Sequence, residues 1–175
     1  MKISESPNGL EMVSTRLIKE ESLWTLERIG CPEDAVRIIG PRLSEYDREV
    51  FCVVNLTTRL APINATLISI GSLNSVTVAP REVFKASILS NASSVLLMHN
   101  HPSNDLTPSS IDIQITDLMI QAGGLLGISV RDHIIVGTDA KRYYSFSENK
   151  ELNYTPIETN LSIEALKFAN SKANE

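Results

Sequence analysis

Cysteine is scarce in this chain of 175 residues, which contains only Cys31 and Cys52. The two residues are widely spaced and fall in different predicted elements, so the sequence shows neither a Cys-x-x-Cys metal motif nor a disulfide framework. Cys52 lies in an apolar segment, where a thiol packs as a small hydrophobic side chain. We therefore predict that Cys52 is a core residue.

Long apolar runs and excess positive charge are also absent. The sequence has no run of 18 apolar residues and no leading segment of the signal-peptide type, which predicts a soluble, cytoplasmic protein without a membrane partner. Lys and Arg number 16 against 21 Asp and Glu, and the net charge is -5. This balance argues against a nucleic-acid partner for the isolated chain, because binding phosphates requires a positive surface.

Aromatic residues make up only 5% of the chain, so aliphatic side chains must form most of the core. The length is sufficient for one domain with a substantial core. We predict a partly flexible N-terminal extension over residues 1–30, which could contain a strand within residues 12–24, and a single domain over residues 31–150. Residues 151–175 form a polar C-terminal tail, in which Leu161–Phe168 could form a short helix.

The hydrophobic patterns predict an α/β fold in which a mixed β-sheet is flanked by helices. Pro32 begins the first helix, which we expect to be disturbed at Gly40–Pro41. The predicted strands are Glu49–Leu56, Leu60–Ile70, Ser75–Ala79, Ser94–Asn100, Val130–Val136 and Arg142–Phe146. Helix Arg81–Leu89 is expected to present Val83, Phe84, Ile88 and Leu89 on one face, and helix Ser110–Leu126 to bury Ile113, Ile115, Leu118, Met119 and Leu125.

The most informative segment is His99-Asn100-His101-Pro102, which ends an apolar strand. Residues two apart on a strand point to the same face, so both imidazoles are expected to face one point. Asp112 begins the following helix, from which its carboxylate could reach that point. Two nitrogens and one oxygen leave the fourth position of a tetrahedral zinc site open, as in catalytic zinc sites.

Purely structural roles are the alternative for these residues. A His-x-His pair on a strand is weak evidence for a metal when it occurs alone. Ser109 lies where a helix N-cap belongs, and Asp112 follows it at the spacing of a capping box. The two histidines and Asp112 taken together favour a metal site over purely structural roles. The strand places the histidines at its carboxyl end, where α/β proteins usually have their functional sites.

The motif His99-x-His101-Pro102, followed by a short loop and Ser109-x-x-Asp112, resembles the metal signature of the JAMM (JAB/MPN-type) metalloproteases. The similarity runs from about Ser44 to Glu148 and is greatest to the bacterial RadC-type branch, which is named for a supposed role in DNA repair. The further segments that carry it are Pro108-Ser109, Asp132-His133-Ile134-Ile135-Val136-Gly137 and Tyr144-Ser145-Phe146.

The resemblance implies the cytidine-deaminase-like three-layer sandwich of the JAMM/MPN fold and one Zn²⁺ per chain. His99, His101 and Asp112 would be the metal ligands. The family also requires a glutamate at the start of a strand that follows a helix, and Glu49 matches this position. From the residues alone, Glu49 cannot be ranked above two rival acids, Glu45 and Glu82.

The implied activity is that of a zinc metallopeptidase, which hydrolyses a peptide or isopeptide bond in a peptide or protein substrate. Zinc would lower the pKa of a water molecule to roughly 7. Glu49 would serve as the general base, and Ser109 would donate a hydrogen bond to the tetrahedral oxyanion. The alternatives are a non-catalytic interaction module and a DNA-repair or mobile-element accessory protein. The sequence favours no particular oligomeric state.

Three residues near the motif have smaller predicted roles. Asn104 stands where the family commonly has glycine, and we expect it to keep a left-handed backbone. We expect Asp105 to stabilise the loop rather than to orient a ligand histidine, and we expect His133 to be a core histidine rather than a fourth ligand.

Longer RadC-type proteins carry an N-terminal helix-hairpin-helix region. The first 45 or so residues are too short for one, so we expect the JAMM domain to stand nearly alone.

Overall fold

The computed structural model describes residues 17–18, 28–71 and 78–152. Most of the predicted strand within residues 12–24, most of the predicted strand Ser75–Ala79 and all of the predicted helix Leu161–Phe168 lie outside them. No helix in the described part of the chain is long and apolar enough to cross a membrane. The described elements are α1 (Pro32–Ser44), β1 (Val50–Leu56), β2 (Pro62–Ile70), α2 (Pro80–Leu89), β3 (Ser94–Asn100), α3 (Ser110–Leu126), β4 (Ser129–Val136) and β5 (Tyr143–Ser145).

The five strands form one mixed sheet in the order β2-β1-β3-β4-β5. β1 pairs antiparallel with both β2 and β3, and β4 pairs antiparallel with β5. β3 and β4 are parallel, because α3 carries the chain back across the sheet between them. The predicted α/β fold with a mixed sheet flanked by helices is confirmed.

Helices cover both faces of this sheet. Even-numbered residues of β1, such as Cys52 and Val54, pack with Val36 and Leu43 of α1. The odd-numbered Phe51 packs on the other face with residues of α2 and α3, among them Phe84 and Met119. Every residue of β1 and of β3 is buried, as expected for central strands covered on both faces. The result is a three-layer arrangement with β3 at the centre of the sheet.

The helix α1 continues through Gly40–Pro41, where the sequence predicts a disturbance. Pro41 lies inside the helix, which continues to Ser44. Pro41 removes a backbone donor only in the last turn, where few helical bonds remain to be lost. The Ser44 hydroxyl donates to the Pro41 carbonyl at 3.0 Å and helps to hold this turn.

The predicted buried faces of α2 and α3 are wrong in part. Ile88 and Leu89 on α2 are exposed, as are Ile113, Leu118 and Leu125 on α3. Small or polar side chains occupy several of the buried positions on both helices. The buried residues of α3 are Asp112, Ile115, Thr116, Met119, Ile120 and Gly123, and those of α2 are Val83, Phe84, Ala86 and Ser87.

Candidate metal centre

The strand β3 delivers two histidines to one point at its carboxyl end. His99 is the penultimate residue of β3 and is completely buried, and His101 follows the strand directly. The backbone N–H of His101 donates to the Val136 carbonyl of β4 at 2.9 Å, so pairing with β4 extends past the end of β3. The alternation of the strand therefore persists to His101, and both imidazoles lie on the same face.

A capping box at the start of α3 fixes the carboxylate of Asp112. The Ser109 side chain accepts from the Asp112 N–H at 3.2 Å, while Asp112 Oδ2 accepts from the Ser109 N–H at 2.8 Å and from the Ser109 hydroxyl at 2.6 Å. The predicted cap is therefore present. Asp112 Oδ1, by contrast, is buried and has no hydrogen-bond partner among the described residues. One carboxylate oxygen is anchored and the other is left available.

The three side chains converge. Nε2 of His99 lies 2.9 Å from Nε2 of His101 and 3.3 Å from Oδ1 of Asp112, and Nε2 of His101 lies 3.7 Å from Oδ2 of Asp112. One ligand atom from each residue lies within 4.8 Å of the others. Two ligand atoms bound at ~2.1 Å to a tetrahedral ion are ~3.4 Å apart. The spacing and the nitrogen and oxygen donors therefore fit a zinc-sized cation.

Burial and the neighbouring charges set the protonation of the site. Burial lowers the pKa of His99 well below its usual value, and it lowers the pKa of His133 to about 4. A hydrogen bond to Asp112 raises the pKa of His101, in opposition to burial. Burial would raise the pKa of Asp112, but the imidazoles of His101 and His99 and the bonds from Ser109 hold it well below its usual range. An ionised carboxylate thus faces a neutral His99, a pairing suited to a metal cation.

Glu49 lies beside this cluster. In the antiparallel pairing of β1 with β3, Phe51 is opposite His99, and the same register extended by two residues places Glu49 opposite His101. Glu49 is half-buried, and its charge contributes to the raised pKa of His101. Glu49, which matches the glutamate that the family requires, is therefore next to His101.

Asn100 was not identified by sequence reasoning, and it holds the segment that carries Glu49. Its side-chain oxygen accepts from the Val50 N–H at 2.7 Å, and its amide nitrogen donates to the carbonyls of Arg48 at 3.0 Å and Tyr46 at 3.3 Å. Asn100 is 2% exposed. The available signal was an amide side chain at the end of a buried strand, because buried amides need partners.

Asn100→Ala is expected to destabilise the protein by about 1–3 kcal/mol, because it leaves buried backbone groups without partners. It should also free the segment that carries Glu49 and lower any hydrolytic turnover. Its zinc affinity should match that of the parent, because Asn100 points to the face opposite the two histidines. Urea unfolding and zinc titration check these outcomes. Unchanged stability and turnover would show that Asn100 does not hold this segment.

The family can be assigned once this geometry is in view. Residues 29–152 match the model of the RadC-like JAB domain. The chain belongs to the RadC-like JAB domain family. This confirms the resemblance that the histidine motif and the later segments indicated.

Curated relatives of this RadC-like JAB domain are UPF0758 proteins. The protein of Caldanaerobacter subterraneus subsp. tengcongensis is 45% identical over 124 residues, which cover 67% of this chain and 53% of the relative. That of Methanosarcina acetivorans is 41% identical over 121 residues, 69% of this chain and 52% of the relative. That of Desulforamulus reducens is 48% identical over 109 residues, 62% and 48% of the two chains. The chain therefore spans about half the length of the curated relatives it matches.

The loop between β3 and α3 of this RadC-like JAB domain supports His101. The backbone carbonyl of Asp105 accepts from His101 Nδ1, while the Asp105 side chain accepts from the Thr107 N–H at 3.0 Å. The Asp105 carboxylate thus serves the loop, and its carbonyl orients the histidine. Asn104 has a φ of 63°, so the predicted left-handed backbone is confirmed.

The two rival acids lie elsewhere in the domain. Glu45 follows the last turn of α1 and pairs with Arg42 at 2.9 Å. Glu82 is in the first turn of α2 and pairs with Lys85 at 2.7 Å. Neither belongs to the cluster of His99, His101 and Asp112.

His133 lies behind the cluster as a buried core residue. It comes from β4 and is completely buried, and its ring stacks on Phe146 with the centroids 5.0 Å apart. Its Nε2 lies 2.8 Å from Nδ1 of His99 and its Nδ1 lies 2.6 Å from the hydroxyl of Thr116. Both ring nitrogens are thus satisfied within the core, as predicted for a core histidine.

Proposed function

We propose that this chain is a zinc-dependent metallopeptidase of the JAMM type that hydrolyses a peptide or isopeptide bond. One observation carries the proposal: one ligand atom from each of His99, His101 and Asp112 lies within 4.8 Å of the others, and Asp112 Oδ1 is buried without a hydrogen-bond partner among the described residues. An unsatisfied buried carboxylate oxygen is costly unless a cation or a donor meets it. Membership of the RadC-like JAB domain family supports the same assignment.

His99, His101 and Asp112 would hold the zinc ion through the two Nε2 atoms and Oδ1. When bound, zinc would supply Lewis acidity, which lowers the pKa of a water molecule and polarises the carbonyl of the scissile bond. Three protein ligands are the number typical of catalytic zinc sites, whereas structural sites usually have four. The protein contributes a ligand set that the cap at Ser109 and the β3–β4 pairing hold in place before the ion arrives.

Glu49 would act as general base and then as general acid. Its carboxylate would take a proton from the attacking water and would later give it to the leaving amine. A position beside His101 and half exposed to solvent suits this role, because the group must reach both the water and the leaving nitrogen.

Ser109 would donate a hydrogen bond to the oxyanion of the tetrahedral intermediate, worth roughly 3 kcal/mol. Its hydroxyl instead donates to Asp112 Oδ2 at 2.6 Å. Donation to the oxyanion therefore requires the hydroxyl to rotate away from Asp112. The Ser109 N–H would still anchor Oδ2 at 2.8 Å, so the carboxylate would keep its orientation.

A peptide or protein is the proposed substrate. An open groove of about 580 Å³ lies along the loop that supports His101, and Asn104, Asp105, Ile113, Arg142 and Tyr144 are among its lining residues. Neither the candidate ligands nor Glu49 line this groove, so the proposed substrate class rests on family membership and on the chemistry of the site.

The experiment that tests the proposal compares the parent with the double variant His99→Ala/His101→Ala. We expect about one zinc per chain in the parent and almost none in the variant by elemental analysis, with cleavage in a peptide library only by the zinc-loaded parent. The loss follows because removing both imidazoles leaves a single ligand. A folded parent that binds no added zinc would overturn the proposal and would favour the non-catalytic interaction module.

A further inference from the structure

A chain of hydrogen bonds runs from α3 through β4 to the candidate metal centre. The Thr116 hydroxyl donates to the Asp112 backbone carbonyl at 2.6 Å and lies 2.6 Å from Nδ1 of His133. Nε2 of His133 lies 2.8 Å from Nδ1 of His99. Thr116 is 1% exposed, and both histidines are completely buried, so water does not compete for these contacts.

The chemistry of the atoms sets the direction of this chain. A carbonyl can only accept, so the single hydroxyl proton of Thr116 is committed to Asp112, and the hydroxyl oxygen must accept from His133. The proton of the His133 ring is then on Nδ1. His133 lies between Phe51 and Phe146, an apolar setting that favours the neutral ring. Its Nε2 is therefore bare and accepts a proton from Nδ1 of His99.

We propose that Thr116 and His133 are positioning residues that fix His99 as the Nδ1–H tautomer, with its Nε2 bare toward the candidate metal centre. The inference rests on the proposed zinc site for its purpose, although the tautomer itself exists without metal. The His101 ring is oriented by its Nδ1, which donates to the Asp105 carbonyl. Its Nε2 lies 2.9 Å from the bare Nε2 of His99, so in the metal-free protein the proton between these two nitrogens belongs to His101, and a bound cation would replace it.

Thr116 also links two of the three candidate ligands. It hydrogen-bonds to the backbone of Asp112 directly, and it orients the ring of His99 through His133. Partners behind the ligands set ring orientation and ligand basicity, and their loss typically costs 10–100-fold in metal affinity. A buried Thr–His pair in this position thus has a function beyond packing.

Nuclear magnetic resonance of the metal-free parent tests the tautomer directly. The chain contains three histidines, so long-range ¹H–¹⁵N correlations of the rings can be assigned with His101→Ala and His133→Phe as references. We expect the Nδ1–H form for His99 and for His133. An Nε2–H form of His99 in the parent would overturn the inference.

Variants of Thr116 test its consequence for metal binding. Thr116→Val keeps the shape of the side chain but removes the acceptor for His133, which can then reverse its tautomer and that of His99. We expect zinc affinity, measured by competition with a chromophoric chelator, to fall roughly 10–100-fold. Thr116→Ser retains the hydroxyl and should restore the affinity of the parent to within about threefold. A purely structural Thr116 would change the unfolding midpoint alone, and equal zinc affinities of the folded valine and serine variants would contradict the inference.

The two readouts separate this inference from the proposed function. A parent with His99 in the Nδ1–H form that binds no zinc would refute the metallopeptidase and leave the tautomer assignment standing. A parent that binds zinc while His99 carries its proton on Nε2 in the metal-free state would refute the tautomer assignment and leave the proposed zinc site standing. The spectrum of the parent decides the inference even where a Thr116 variant fails to fold.

Discussion

Glu49→Gln is expected to lower peptidase turnover by about 10²–10⁴-fold while the protein still binds one zinc. An amide has the shape of the carboxylate but takes up no proton near neutral pH, so the water would lose its base and the leaving amine its acid. Zinc binding should persist because His99, His101 and Asp112 supply the candidate ligand atoms. Single-turnover cleavage of a peptide identified with the parent, together with elemental analysis, measures both quantities.

Glu82→Gln is the matched control for this substitution. Glu82 was a rival acid, but its carboxylate pairs with Lys85 on α2. The control should therefore leave turnover unchanged and lose at most the small stabilisation of an exposed ion pair, about 0.2–1 kcal/mol. Full activity in zinc-loaded Glu49→Gln would refute Glu49 as the general base. A loss of turnover in Glu82→Gln would point to Glu82 instead.

Local signals in the sequence were sufficient for the part of the fold that carries the histidines. The run before His99 predicted a strand over Ser94–Asn100, and Ser109 with Asp112 predicted a helix from Ser110 to Leu126. Both ranges agree with the observed elements. They could be predicted because an unbroken apolar run and a capping box each depend only on neighbouring residues.

Features that depend on packing between distant segments could not be predicted in the same way. Apolar residues occur around most of α3, so the pattern could not show that Thr116 and Gly123 are buried while Leu125 is exposed. An added Cβ at Gly123 would clash with the Ile128 carbonyl oxygen, in the turn after α3, and would lie 3.1 Å from the ring of Phe84 on α2. The contact with Phe84 joins two helices, and no local periodicity encodes it.

The residues that hold the candidate metal centre from behind also depend on contacts between distant segments of the chain. Asn100 contacts residues about 50 positions earlier in the chain, and His133 contacts His99 from 34 positions later. Sequence reasoning could identify the groups that face the cluster, because they follow a motif. It could not identify the groups behind them, because only the folded sheet brings β4 next to β3.

Asp112→Ala is expected to weaken zinc binding by ~100-fold or more, beyond the range for loss of a supporting group. The substitution removes the carboxylate oxygen that faces His99 Nε2 at 3.3 Å. It also removes half of the capping box, which should cost about 1 kcal/mol of stability. Zinc titration of the folded variant and urea unfolding measure the two effects separately.

Ser109→Ala separates the ligand role of Asp112 from its role in the cap. This control removes the side chain that accepts from the Asp112 N–H and should destabilise the protein about as much as Asp112→Ala does. The substitution also removes the hydroxyl that donates to Asp112 Oδ2, but the carboxylate and its bond from the Ser109 N–H remain, so zinc affinity should fall only by the roughly 10–100-fold typical for loss of a supporting group. Equal losses of zinc affinity in the two variants would mean that Asp112 only caps α3. A larger loss in Asp112→Ala than in Ser109→Ala is expected, because the cap determines where the carboxylate lies and only the carboxylate can bind the metal.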